Sequence, residues 1–291
     1  MIVRHCQQKD RASIQELSKD PDAYLDSNKF RDLFLICTGA WPYSRGWILE
    51  QSGEVLGFAY VNRVPGLDAV YTIDGLIQTS QRRKGHGSRL FKEVMNELRT
   101  LGAKELSWAG PKTAAPAHAL LKAVGFELAH TELHFVLKLE DMSMIDAPLP
   151  EGFAVVEAEW PESISQFTRL YDAIFSDLPW YQAYSDEEVS SLIDRPGKLL
   201  FLMRGRLPVG ICLIHIRNPE ASEIEPIGII TEYRDLGLGT ALLAYAISYL
   251  QQAGARNVQI AAWEENKAAV AIYSQFGFSL VTTKLFLSLK L

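Results

Sequence analysis

"YRDLGLGTALL", Tyr233 to Leu243, sets an arginine three residues ahead of the first of two glycines, and a threonine and an apolar run follow. A glycine-rich loop that opens a helix is a place for an anion, because the first turn has N–H groups without intrahelical partners and carries the positive end of the helix dipole. Gly237 and Gly239 let a ligand approach the backbone and turn successive N–H groups, with Leu238 and Thr240 in the same turn, into one concavity; Arg234 adds mobile positive charge. A near copy, "QRRKGHGSRLF", stands at Gln81 to Phe91 and supplies Arg82, Gly85, Gly87 and Ser88. Neither copy has the Gly-Lys-Ser/Thr of a nucleotide P-loop or the third glycine of a dinucleotide loop.

The two copies belong to an internal duplication. Arg82 and Arg234, Gly85 and Gly237, and Gly87 and Gly239 are each 152 positions apart, and "LGAKEL" with "AGARNV", then "AVGFEL" with "QFGFSL", align at the same offset. Between the halves lies "EDMSMIDAPLPEG", Glu140 to Gly152, whose prolines and closing glycine mark a linker. The expected division is residues 1–139, a linker at 140–152 and a second domain at 153–291.

Bulk properties narrow the function. The chain has 291 residues and a net charge of −6, which argues against a nucleic acid partner. Cys6, Cys37 and Cys212 are odd in number and far apart, so they suggest neither a disulfide framework nor a zinc site, and no metal is expected. No apolar run approaches membrane-spanning length, so no membrane partner and a cytoplasmic protein are expected.

Each half repeats one order of elements. An amphipathic region precedes a hairpin ("WILEQSGEVLGFAYV"; "LLFLMRGRLPVGICLIHI"), a buried strand ("TIDGLIQ"; "IEPIGII"), the loop and a helix. A strand ("ELSWAG"; "NVQIAAW"), a short helix, a Gly-Phe turn and a last strand complete the unit. This order implies an α/β fold of the α+β type: two tandem domains, each a mixed sheet flanked by helices. The helix "ALLAYAISYL" is apolar nearly all round, so its outer face is expected to be covered, with the other half as one candidate.

The loops, read as R-x-x-G-x-G, together with "NKAAVAIYSQFGF" at Asn266 to Phe278, resemble the GNAT N-acetyltransferase superfamily over nearly the whole chain. The tandem arrangement resembles that of the mycothiol synthases, whose second domain does the chemistry. The resemblance implies transfer of an acetyl group from acetyl-CoA to an amine of a small molecule or a protein. Both loops would hold the pyrophosphate, and the N–H of Ile229, or of Ile77 in the first half, would meet the acyl carbonyl. Tyr273 matches the position that protonates the departing thiolate, and Asn266 the position that contacts the pantetheine arm; core filling and helix capping are their simpler roles.

A base is needed to free the amine of its proton, and "SEIEPIGII" offers Glu223 and Glu225, which share strand parity with each other and with Ile229. At the repeat offset Tyr273 becomes Leu121, Asn266 becomes Ala114, Glu225 becomes Ile73 and Glu223 becomes Tyr71. Asp74 has the parity of the opposite face. The first half is therefore expected to be degenerate, with a structural, cofactor-holding or substrate-shaping role. Tyr171, Phe175, Trp180 and Tyr181, with Asp177, are candidate acceptor-pocket residues, and "GAWPYSRGW" at Gly39 to Trp47 is a candidate cover for the cleft. The alternatives are a non-catalytic acyl-CoA-binding or regulatory protein, and an enzyme with a longer acyl donor.

Overall fold

The computed structural model describes residues 1–20, 37, 44–64, 67–140, 142, 148–159, 161–178, 181–184, 189 and 197–291. They form two compact units, one of Met1–Thr131 with Thr283–Leu291, the other of Glu132–Thr282.

The first unit is a mixed sheet. Strands β1 (Ile2–His5), β2 (Ser44–Gln51), β3 (Glu54–Arg63) and β4 (Val70–Ile77) run antiparallel in turn. Strand β5 (Glu105–Pro111) then lies parallel to β4, and Lys284–Lys290 of the final strand β12 (Ser279–Lys290) lie antiparallel to β5. The second unit repeats this order with β7 (Phe153–Glu157), β8 (Gly197–Arg204), β9 (Leu207–Ile216), β10 (Ser222–Ile229) and β11 (Asn257–Trp263). Glu132–Lys138 of β6 (Glu127–Lys138) close it against β11. The halves of the duplication and the compact units thus differ in their last strand: each unit takes it from the other half of the sequence.

Alternation along the strands sends side chains to two apolar layers in each unit. In the first, Trp47, Leu49, Ala59, Val61 and Ile73 pack with α2 (His86–Thr100) and α3 (Ala115–Ala123), while Ile48, Phe58, Tyr60 and Leu76 pack with α1 (Arg11–Leu17). In the second, Leu200, Leu202, Cys212, Ile214 and Ile224 pack with α5 (Leu238–Gln252) and α6 (Lys267–Gln275), while Leu199, Phe201, Ile211 and Leu213 pack with α4 (Ile164–Phe175). The apolar α5 buries residues on several sides, Leu243 and Ala244 included, and Met142 and Leu149 of the linker pack against the same core. No described helix is long and apolar enough to cross a membrane.

One expectation needs correction. Cys6 and Cys37 form a disulfide, 31 positions apart, with Cys37 buried beside Ile14 and Phe58. Nothing in the spacing announces the pair. Of the stretch Gly39 to Trp47, residues 39–43 lie outside the described residues, and Trp47 is a buried core residue of β2.

Two predictions follow from this arrangement. Fragments 1–139 and 153–291 each lose the closing strand of their sheet, so neither should give a monomer with a cooperative melt, whereas co-expression should restore one. A sharp melt from 153–291 alone would refute the strand exchange. Denatured, unreduced protein should titrate with one free thiol, Cys212, and reduction should release Cys6 and Cys37. Reduction should also lower stability by about 4 kcal/mol, the loop-closure value for such a separation.

Candidate active site

Both loops leave the strand, pass through one left-handed residue and enter the helix through a left-handed glycine. Arg83 and Asp235 have φ of 61° and 63°, and Gly85 and Gly237, the helix N-caps, have φ of 80° and 74°. The first helical bonds run from Arg89 N–H to the Gly85 carbonyl and from Ala241 N–H to the Gly237 carbonyl. The N–H groups of His86, Gly87 and Ser88, and of Leu238, Gly239 and Thr240, therefore have no partner within their helices. A Cβ on Gly85 or Gly237 would meet nothing within 4 Å, and one on Gly239 would meet Ile272 Cδ1 at 3.9 Å, so an anion can reach the backbone there.

The sequence led us to expect mobile loop arginines, but both side chains are held. Arg234 donates from Nε to the Ile229 carbonyl at 3.1 Å and from Nη2 to the Ile174 carbonyl at 3.0 Å. Arg82 donates from Nε to the Ile77 carbonyl at 2.9 Å and pairs with Asp20 at 2.9 Å. Each arginine is held at two points, so these side chains fix the strand-to-loop corner.

The strand edge beside the loop is open. Pairing of β10 with β11 covers Ser222 and Glu223, and pairing of β4 with β5 stops at Thr72. The Ile230 N–H donates to Val209 and the Gln78 N–H to Leu56. In an antiparallel ladder the preceding residues, Ile229 and Ile77, therefore turn their N–H groups away from β9 and β3, toward the gap between the parting strands.

A register shift in β10 changes the reading of the carboxylates. Ile224 faces Ile214 but Ile227 faces Cys212, so Glu225 and Pro226, joined by a cis peptide, together stand opposite Leu213. The extra residue breaks the shared parity: Ile229 and Ile224 belong to the α5 layer, while Glu223 faces His215 on the α4 side. In β4 the ladder is continuous, and Asp74 stands opposite Tyr60, the counterpart of Leu213. By ladder position the counterpart of Ile73 is thus Ile224 and that of Thr72 is Glu223, and Asp74 takes the place of the Glu225–Pro226 pair. The repeat offset missed this, although a proline inside a buried strand is a bulge signal.

Glu223 accepts a 2.7 Å bond from Arg217. Glu225 is exposed, and its charge, with burial as the larger cause, pushes the Tyr273 phenol up. The Tyr273 ring is buried against Phe135 and Phe278, each with its centroid 5.7 Å away. Asn266 caps α6, its Oδ1 accepting from the Ala269 N–H at 3.1 Å, so its amide group is the part left to meet a ligand. On the other face Tyr171 packs against Phe175, Tyr181 and Tyr184, and Tyr181 donates to Asp172. Burial and Asp172 push the Tyr181 phenol up to about 12. Asp177 is exposed, and Trp180 lies outside the described residues. A Cβ on Gly228 would sit 2.5 Å from Ile174 and 2.8 Å from Phe175, so this glycine, which the sequence did not flag, lets α4 lie against β10.

In the first unit a cavity of about 350 Å³ runs from Arg83 and Ser88 in the loop to Asp74 on β4, with Trp108, Leu120 and Leu121 in its wall. Among the described residues no cluster that could hold a metal ion occurs.

The family model described as the acetyltransferase (GNAT) family matches this chain at residues 11–126 and again at 155–278. The chain belongs to that family. It is an acetyl-CoA-dependent acyltransferase with tandem GNAT domains. The mycothiol acetyltransferase of Thermomonospora curvata is 24% identical over 241 residues, 81% of this chain and 79% of its own. Among solved structures, a GCN5-related N-acetyltransferase from Sphaerobacter thermophilus has a TM-score of 0.75 at 16% identity, covering 99% of this chain and 95% of its own. A tandem GNAT protein from the clavulanic acid biosynthesis pathway has a TM-score of 0.71 at 17% identity, with 99% and 98% covered. The resemblance to the mycothiol synthases is borne out at the level of family and tandem fold.

Because Gly239 faces open space, Gly239→Val should melt within about 1 kcal/mol of the parent, glycine and valine both being poor helix formers. It should lose at least about tenfold in coenzyme A affinity at the second unit, measured by calorimetry. Unchanged affinity would remove the helix entrance from the binding site.

Proposed function

We propose that the protein acetylates a primary amine of a small molecule and that the second unit carries out this chemistry. The observation that carries the reading is the meeting of three features at the parting of β10 and β11: the outward N–H of Ile229, the exposed Glu225 and the buried Tyr273. The N–H groups of Leu238, Gly239 and Thr240 would hold the pyrophosphate of acetyl-CoA, and the amide of Asn266 would meet the pantetheine arm. The chain's likeness to mycothiol acetyltransferases supports a small-molecule acceptor over a protein amine.

Glu225 is the better base. Glu225 is exposed beside the bulge and its field reaches Tyr273. Glu225, Asp172 and Asp177 also draw an ammonium toward the site before it is deprotonated. On the acid side, the raised phenol of Tyr273 stays protonated at neutral pH and donates a hydrogen bond to the sulfur as negative charge develops there. A cytoplasmic setting agrees with the use of acetyl-CoA.

The test is free-thiol release from acetyl-CoA over a panel of primary amines. Tyr273→Phe should lower kcat roughly 10²- to 10³-fold with coenzyme A affinity nearly unchanged, the usual scale for loss of one donor at a developing anion. Glu225→Gln should slow turnover near neutral pH and recover rate at high pH, where the acceptor is already neutral, while Glu223→Gln keeps the parental profile. Parental rates in both Tyr273→Phe and Glu225→Gln would place the chemistry elsewhere.

A further inference from the structure

We infer that the first unit is a second acyl-transfer centre, with Asp74 as its base. This goes beyond the reading of the second unit and contradicts the view of the first half as degenerate. The ladder carries the argument. Asp74 faces Tyr60 where the Glu225–Pro226 pair faces Leu213, so a carboxylate occupies the base position in both units. The offset between the repeats hides it, because β10 has one residue more than β4 at this point.

Three further observations bring a substrate to that carboxylate. The cavity of about 350 Å³ has Asp74 in its wall and opens along the loop, so the anion cradle and the carboxylate share one space. Its wall combines Ile73 and Trp108 of the α2 layer with Phe58 and Leu76 of the α1 layer, so it passes through the sheet where β4 and β5 part. The Ile77 N–H faces that gap. The loop is also the more basic of the two: exposed Arg83 and Lys84 stand where the second unit has Asp235 and Leu236, which favours a polyanion such as coenzyme A.

The reaction balances without any further reagent. The amine nitrogen attacks the thioester carbonyl, the C–N bond forms, and the C–S bond breaks with its electron pair on sulfur. Asp74 accepts the proton from nitrogen, the thiolate takes a proton from water, and Asp74 passes its proton to the hydroxide left behind, giving amide and thiol with the carboxylate restored. Leu121 stands at the position of Tyr273, so no phenol helps the sulfur leave. A thiol has a pKa near 8.5, low enough for its anion to depart unaided, so the step is slowed rather than abolished.

The experiment uses the full chain with the second unit silenced by Glu225→Gln and Tyr273→Phe together. Thiol release from acetyl-CoA is followed with benzylamine, and with water as sole acceptor, across pH. Release above the solvent rate should remain, and adding Asp74→Asn should lower it about tenfold or more near neutral pH, with recovery at high pH and in part by Asp74→Glu. Calorimetry with coenzyme A should show unchanged binding in Asp74→Asn, and about tenfold weaker binding at the first site when Arg83→Asp and Lys84→Leu are combined. No release above solvent from the silenced enzyme, release indifferent to Asp74→Asn, or binding indifferent to the loop change overturns the inference. Failure of the second-unit reading looks different, since the silenced enzyme would then keep the parental rate.

Discussion

Arg234 grips two carbonyls, one at the end of β10 and one at the end of α4, and the site of the second unit depends on that grip. The N–H that would meet an acyl carbonyl belongs to the same residue, Ile229, whose carbonyl the arginine holds. The N–H groups that would meet phosphate lie one loop away, at Leu238, Gly239 and Thr240. A thioester and a pyrophosphate are joined by an arm of fixed length, so the distance between these two sets of donors must be held. In the first unit Arg82 grips Ile77 in the same way but takes Asp20 as its second partner. The corner is kept and its outside attachment has changed, as expected if the corner is the functional constraint.

One residue more in β10 than in β4 separates the two units chemically. Below the shift, Ile224 and Ile73 face matching partners; above it, Ile229 and Ile77 do so again. Both ends of the strand are therefore held by ladder bonds, and the insertion has no outlet except at Glu225 and Pro226. There the backbone must leave the ladder, and Glu225 becomes exposed while its neighbours Ile224 and Pro226 stay buried. Asp74 reaches an equivalent place on an unbroken strand, with a side chain one methylene shorter, and lines a cavity.

Much of this was legible in the sequence because it is local. Glycines at a helix entrance, hairpin turns between apolar runs, and the spacing of Asn266 and Tyr273 along one helix depend on neighbours in the chain. The parts that were missed depend on distant partners. "ELAHTELHFVLK" and "SLVTTKLFLSLK" are both β-rich and equal in length, so either could close either sheet, and nothing in the strands themselves reports the exchange. The bond between Cys6 and Cys37 likewise joins residues 31 positions apart. The bulge was half visible: Pro226 flagged it, but a fixed repeat offset is blind to an insertion that is compensated within the same hairpin.

The exchanged strand bears on the acid as well. Phe135, which packs edge-on against Tyr273, lies on β6 and so comes from the first half of the sequence. Its aromatic edge and Phe278 bury the phenol and push it up, with the Glu225 charge adding to the effect. A phenol made weaker than the thiol it serves cannot hand over its proton completely, since a thiol sits near 8.5 and transfer would run uphill. What it can do is remain neutral through the cycle and hydrogen-bond to the sulfur as charge appears, with full protonation left to water after the thiolate departs. The hydrophobic packing of Tyr273 is therefore part of its chemistry: a more exposed tyrosine would have a more ordinary pKa but would meet the sulfur through competing water. The first unit has the packing without the phenol, since Leu121 is equally buried, and any chemistry there has to rely on the leaving group's own acidity.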